Sequence, residues 1–248
     1  MQFLGVIPAR YASSRFPGKP LAIINGKSMI QRVYEQASKA NSLADVIVAT
    51  DDNRIFEHVI SFGGKVLMTD TKHPSGTDRC NEIVKELKNQ GKSYDVIVNI
   101  QGDEPYINPI QIEQLCETFN KQETQIATLI KPISKIDELD NPNVVKVVKQ
   151  KSGEALYFSR YAIPYFRGEN RMEMFKRANY FKHIGIYAYR SDILEQLCKL
   201  PKSKLEETES LEQLRWLENG FAIQTKVTDF ESVAVDTPAD LLKLTNIP

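Results

Sequence analysis

Three short runs constrain this chain more than anything else: FLGVI at 3–7, DVIVAT at 45–50 and YDVIVNI at 94–100. Each has an unbroken apolar, partly β-branched centre and stops abruptly at proline or polar residues. Runs of this length and kind are strands buried on both faces of a sheet. Amphipathic patterns separate them. KSMIQRVYEQASKA (27–40) sets Met29, Ile30, Val33 and Ala37 on one stripe, with Ser28 and Gln31 at capping-box spacing. NRIFEHVISFGG (53–64) predicts a short helix closed by Gly63, and KVLM a further strand. A helix follows from about Asp78 to Asn89, and another over PIQIEQLCETF, opened by Pro109. Strands and helices alternating through short links predict an α/β fold: a mostly parallel sheet with helices on both faces. Ligands of such sheets gather at the carboxyl ends of the strands.

From about Asn143 the rhythm changes. VVKVVKQKSGEALYFS reads as a hairpin turning at Lys151-Ser152-Gly153, and KHIGIYAY (182–189) as a strand after a polar, aromatic stretch. Residues 143–190 are expected to form an inserted β-rich arm within a single domain spanning 1–248, able to cover a site or pair with another subunit. A helix over EETESLEQLRWLENG, two short strands and a last helix, DTPADLLKLTN, complete the chain.

The balance of 32 basic and 32 acidic residues over 248 gives a net charge of zero, without the broad positive field of a nucleic-acid binder. Any anion site must be local. Cys80, Cys116 and Cys198 form no CxxC pair, which points to a reducing, cytoplasmic setting and away from zinc or disulfides. No apolar run reaches membrane-span length, and Pro8 and Arg10 interrupt any signal-peptide pattern at the N-terminus.

The local anion site is the first loop. After the opening strand, PARYASSRFPGKPL carries Arg10, Arg15 and Lys19 with no carboxylate among them, plus small residues whose N–H groups can approach an anion. That combination suits a triphosphate; a solvated basic turn is the plain alternative. It is neither a P-loop nor a GxGxxG turn. QGDEP (101–105) ends the third buried run, and its Asp103 can offer a carboxylate to Mg²⁺; an ordinary strand-to-helix turn has the same composition. HPSGTDR (73–79) holds Ser75, Gly76 and Thr77 before a helix, where capping explains them and a base or ribose contact stays open. Alternation along KHIGIYAY sets His183, Gly185, Tyr187 and Tyr189 on one face, a polar face whose central glycine leaves room for a polyhydroxyl ligand, or one that merely meets solvent. Glu209, Glu212 and Gln213 are expected to share a helix face.

VIPARYASSRFPGKPL, HPSGTDR, VNIQGDEP, NPNVVKVV, ALYFSRYAIPY, HIGIYAYR, LEQLR and VDTPADL occur in this order. Together they resemble the 3-deoxy-manno-octulosonate (Kdo) cytidylyltransferases along essentially the whole chain. The resemblance implies a Rossmann-like nucleotidyltransferase fold, a Mg²⁺ requirement, a homodimer with the arm at the subunit contact, and the reaction CTP + Kdo → CMP-Kdo + diphosphate for lipopolysaccharide biosynthesis. It implies that Arg10, Arg15 and Lys19 hold the phosphates, that Asp103 and Asp236 hold the metal, and that Ser75 and Arg79 meet the cytosine end. Gln101, Arg160, His183, Tyr187, Glu212 and Gln213 then fall to the sugar acid, Arg160 serving its carboxylate or a subunit contact. Activation of another sugar acid (a sialic acid or an 8-amino Kdo analogue) and a non-catalytic nucleotide-binding module are the competing readings.

Overall fold

The computed structural model describes residues 1–12, 16–167, 172, 173, 175, 179–231 and 233–245. Chain order runs β1 (Phe3–Ala9), the small hairpin β2–β3 (Ile23–Ile24 and Lys27–Ser28), α1 (Met29–Ala37), β4 (Leu43–Thr50), α2 (Asn53–Ser61) and β5 (Val66–Met68). Next come α3 (Gly76–Asn89), β6 (Val96–Asn99), α4 (Pro109–Glu117), β7 (Ile126–Pro132), α5 (Asp137–Asp140), β8 (Lys146–Lys149) and β9 (Ala155–Ser159). The chain continues through β10 (Phe181–Arg190), α6 (Ser191–Leu197), α7 (Lys204–Glu209), α8 (Gln213–Glu218), β11 (Ile223–Val227) and α9 (Pro238–Thr245).

The main sheet has the order β11-β7-β10-β6-β1-β4-β5. Its pairs are parallel from β6 to β5 and between β11 and β7, while β10 runs against both β6 and β7. The three apolar runs of the sequence are the adjacent strands β4, β1 and β6. One face packs on Ile30 and Val33 of α1, Ile55 and Val59 of α2, and Ile112 and Leu115 of α4. The other packs on Ile83 and Leu87 of α3, Leu194 and Leu197 of α6, and Leu214 and Trp216 of α8. Burial on both faces explains why these strands carry no polar alternation.

The arm is smaller than the expected 143–190. β10 lies inside the main sheet because both its faces are apolar: Ile184, Ile186 and Ala188 join one core, and Tyr187 and Tyr189 join the other. The antiparallel hairpin β8–β9 is attached to the sheet through β8, which pairs with the start of β10 at Phe181 and Lys182. The face expected to be polar is an aromatic one, with Tyr187 stacked on Tyr189 and both ring-edges against Trp216.

The single helix expected over 206–220 is two helices. Ser210 takes a left-handed conformation at φ 51° and ends α7. Glu209 and Glu212 therefore point to different places. Glu209 holds the arm, accepting from the Ser159 hydroxyl at 2.6 Å and the Arg160 N–H at 2.8 Å, whereas Glu212 turns toward α3.

Candidate active site

β1 delivers Arg10 to the carboxyl edge of the sheet. The loop beyond leaves at Tyr11 and returns at Gly18, whose N–H donates to the Tyr11 carbonyl at 2.9 Å. Gly18 needs its φ of +72° for that closure, a conformation that glycine adopts without strain. Lys19 follows at once, in a short 3₁₀ turn with Pro20. Arg15 lies outside the described residues.

The turn after β6 brings Asp103 to the same edge. A β-carbon at Gly102 would lie 2.7 Å from the Pro8 carbonyl oxygen, so the close approach that glycine permits here is of backbone to backbone. Asp236 arrives from the far end of the chain. Val235 is fully buried with Ile24, Met29 and Leu244, and its N–H donates to the Asp103 carbonyl at 2.9 Å. The segment before Asp236, expected to be a strand, has no strand assigned among its described residues, and the Val235–Asp103 bond ties it to the turn.

The result is a cleft of about 270 Å³ lined by Arg10, Lys19, Arg79, Gln101, Asp103 and Asp236 among others. Lys19 Nζ stands 2.7 Å from an Asp103 oxygen and 3.6 Å from an Asp236 oxygen. Among the described residues no cluster of three or more His, Cys, Asp or Glu side chains offers a complete metal shell. Two carboxylates on one rim, with the remaining ligands left to substrate oxygens and water, match the way Mg²⁺ is held in phosphoryl-transfer sites. The donor set therefore fits that ion.

Arg79 is 1% exposed and donates to Thr69 Oγ1 and to Asp51, which closes the floor of the cleft with a buried ion pair. Ser75 caps α3, accepting from the Asp78 N–H at 3.2 Å. Next to it the Thr77 hydroxyl donates to Glu212 at 2.8 Å. Ser75 and Glu212 thus share one helix N-terminus, although the sequence suggested opposite pockets for them. Burial raises the Glu212 carboxyl above its usual range, against the lowering effect of those hydroxyls and of Arg215.

Tyr187 lies on the face of the sheet that packs on Trp216 of α8, close enough to Glu212 to feel its charge, and Gln213 is buried at the start of that helix. Burial lifts the Tyr187 phenol well above its normal range. His183 is neutral: desolvation lowers its pKa to about 3, and its Nε2 lies 2.9 Å from Thr128 Oγ1. That hydroxyl donates to the Ile186 carbonyl at 2.7 Å, which leaves it to accept from the imidazole. Arg160 goes elsewhere. Its guanidinium donates to the carbonyls of Glu209, Pro142 and Ser210 at 2.6, 2.9 and 3.2 Å, which braces the arm and departs from the expected role toward a sugar carboxylate. The cysteines supply no nucleophile, since burial pushes Cys116 and Cys198 up to about 12 and keeps the thiols protonated.

The family model for cytidylyltransferases matches residues 4–228. A 3-deoxy-manno-octulosonate cytidylyltransferase of Parabacteroides distasonis is 54% identical over 98% of this chain and 96% of its own length. The chain belongs to the 3-deoxy-manno-octulosonate cytidylyltransferase family. It is a CTP-dependent nucleotidyltransferase. A solved structure of CMP:2-keto-3-deoxy-manno-octonic acid synthetase complexed with CTP superposes with a TM-score of 0.91 at 44% identity, covering 99% of this chain and 97% of that one. An 8-amino-3,8-dideoxy-manno-octulosonate cytidylyltransferase of Shewanella woodyi is 50% identical over 95% of this chain and 94% of its own length. Family membership thus spans two sugar acids that differ at one carbon. Two contacts are not legible in the sequence: the pairing of Asp51 with Arg79 under the cleft, and the Thr77–Glu212 link beside it.

Proposed function

We propose that this cytidylyltransferase transfers CMP from CTP to the anomeric C2 hydroxyl of Kdo, releasing diphosphate and supplying CMP-Kdo for lipopolysaccharide biosynthesis. The observation that carries this reading is the convergence of Lys19, Asp103 and Asp236 within 3.6 Å in a cleft that Arg10 also lines. In the reaction the C2 oxygen forms a bond to the α-phosphorus while the bond from that phosphorus to the bridging oxygen of diphosphate breaks. The hydroxyl proton leaves to solvent and the electron pair goes with diphosphate. Little covalent work is asked of the protein, so positioning and charge neutralisation dominate.

Arg10 and Lys19 bind the triphosphate and offset charge growing on the leaving group, with Arg15 as a third cation of the same loop. Asp103 and Asp236 would hold Mg²⁺, which supplies a Lewis acid that lowers the pKa of the attacking hydroxyl. Arg79 supports the nucleotide from the floor of the cleft. Gln101, His183, Tyr187, Glu212 and Gln213 orient the sugar acid. Ser75 and Arg79 serve the cytosine end, at the N-terminus and first turn of α3. Exposed Leu156, Tyr161 and Tyr165 on the arm support a homodimer contact there. A cytoplasmic setting agrees with the free cysteines, and no helix among the described residues is long and apolar enough to cross a membrane.

The test is diphosphate release with CTP, Mg²⁺ and Kdo, omitting each in turn and replacing Kdo by its 8-amino analogue and by a sialic acid. Release that needs all three components and is fastest with Kdo is expected. Release without any sugar acid, or only with a different one, would overturn the assignment.

A further inference from the structure

Asp51 and Asp52 stand side by side where β4 ends, and their carboxylates go to different partners. Asp51 accepts from Arg79 on the floor of the cleft. Asp52 caps α2, accepting from the Arg54 N–H at 2.9 Å. The same carboxylate grips the Arg54 side chain at two points, accepting from Nε at 2.9 Å and from Nη2 at 2.6 Å. A planar guanidinium held by a carboxylate in this forked way has a fixed orientation. It lies over Tyr11: the guanidinium carbon is 3.3 Å from the centre of that ring, a cation–π contact.

Tyr11 is where the cationic loop closes. It follows Arg10 directly, its carbonyl accepts from the Gly18 N–H at 2.9 Å, and Lys19 comes next in the chain. The ring also touches Gly18, where a β-carbon would meet three of its atoms at 3.2 Å. Arg10 and Lys19 therefore flank a closure made of Tyr11 and Gly18, and Arg54 covers the Tyr11 ring from α2. That helix packs beside the short turn carrying Lys19. A local ion pair at a helix start explains the grip of Asp52 on Arg54. It leaves the stack on Tyr11, far away in sequence, without a reason. Core packing supplies none, because the Arg54 side chain is 59% exposed. Its charge is already matched by Asp52, which suits it to be a flat support more than a further phosphate ligand.

We propose that Arg54 is a positioning residue for the phosphate loop: held by Asp52, it stacks on Tyr11 and keeps the Tyr11–Gly18 closure in place, so that Arg10 and Lys19 are spaced for a triphosphate before it arrives. The inference rests on the phosphate role given to that loop above. Cations already in place bind an anion without the cost of ordering them. A loosened closure must re-form when CTP binds, and that consumes part of the binding energy. The effect falls on CTP and not on the sugar acid.

Diphosphate release and calorimetric melting of Arg54→Ala, Arg54→Lys and Asp52→Asn provide the test. Arg54→Ala should raise KM for CTP about fivefold, the upper end for one exposed cation–π contact, with KM for Kdo at saturating CTP unchanged. Unliganded melting should stay within about 2 °C of wild type, as for other exposed substitutions. Lysine keeps the positive charge but has neither the flat face nor the fork, so Arg54→Lys should recover little of the loss. Asp52→Asn keeps a cap on α2 and loosens the grip on Arg54, so KM for CTP should again rise. In a Tyr11→Leu background, Arg54→Ala should add no further loss. Wild-type KM for CTP in Arg54→Ala, full rescue by lysine, or additive losses in the Tyr11→Leu background each overturn the proposal. A lowered KM for CTP in Asp52→Asn does so too, because it would make Arg54 a phosphate ligand that Asp52 holds back. The underlying reading fails separately: if Lys19→Ala and Arg10→Ala keep wild-type turnover, the loop holds no phosphate and Arg54 has nothing to position.

Discussion

The Lys19 ammonium sits 2.7 Å from Asp103, and the same nitrogen reaches Asp236 at 3.6 Å. One cation from the first loop therefore meets carboxylates carried by the middle and the end of the chain. The backbone bond from Val235 to Asp103 ties together the two segments that carry these acids. Lys19 stands 15% exposed, Asp103 26% and Asp236 45%, a gradient from the wall of the cleft to its mouth. Removing the lysine would leave two acids facing a polyanion, a like-charge arrangement that disfavours binding.

Lys19→Ala and Arg10→Ala are each expected to retain the fold and lose turnover by about 10² or more, the scale for losing a preorganised charge beside a developing anion. Steady-state kcat/KM with CTP and Kdo checks this. Wild-type values in both variants would remove the phosphate role of the loop.

His183 predicts an acid limb in stability. Its folded-state pKa of about 3 lies below the ordinary histidine value of 6.5, so between these values the unfolded chain binds a proton that the native protein refuses. Stability attributable to this residue is complete above the upper value and falls as pH drops through the window toward the lower one. His183→Gln keeps a neutral polar group beside Thr128 and removes the titration. Urea midpoints measured from pH 7 to pH 4 should decline less steeply in the variant. Parallel declines would mean that His183 is protonated in the native state.

Glu212→Gln preserves shape and the capacity to accept from Thr77 while removing the charge. It should raise KM for Kdo and leave CTP binding by calorimetry nearly unchanged. Equal loss of CTP affinity would place Glu212 against the nucleotide, together with Ser75 and Thr77.

Much of this was readable from residue order, and the remainder was not for identifiable reasons. β1, β4 and β6 announce themselves because burial on both faces requires continuous apolar runs. The cationic loop is legible because Arg10 and Lys19 lack any carboxylate nearby in sequence. β10 was placed in the arm because a strand's neighbours are a long-range fact; its pairing with Asn99 and Thr128 leaves no local trace. The break at Ser210 is equally silent. No glycine or proline marks it, and the left-handed residue is held by tertiary contacts, among them the Arg160 guanidinium on its carbonyl. Arg160 shows the general limit: its residue type suits a carboxylate, but which acceptors surround it depends on how loops 141–143 and 209–210 fold together.

Asp236 and Thr237 separate catalysis from capping within two adjacent residues. Pro238 begins α9, and the Thr237 hydroxyl accepts from the Asp240 N–H at 3.3 Å while the Asp240 carboxylate accepts from the Thr237 N–H at 3.1 Å. This reciprocal pair is a capping box, with Asp240 in the place of the usual Glu or Gln. The helix end is thus satisfied by Thr237 and Asp240, and Asp236 stands one residue outside it, at the mouth of the cleft. Thr237→Ala should cost about 1 kcal/mol of stability, the usual effect of a lost cap, with activity at low temperature largely kept. Asp236→Asn should do the reverse: unliganded thermal stability close to wild type, most turnover lost, and a weaker response to added Mg²⁺. Calorimetric melting and diphosphate release on both variants give the comparison. If Asp236→Asn melts early and still turns over, the carboxylate belongs to the helix and the metal must be held by Asp103 without it.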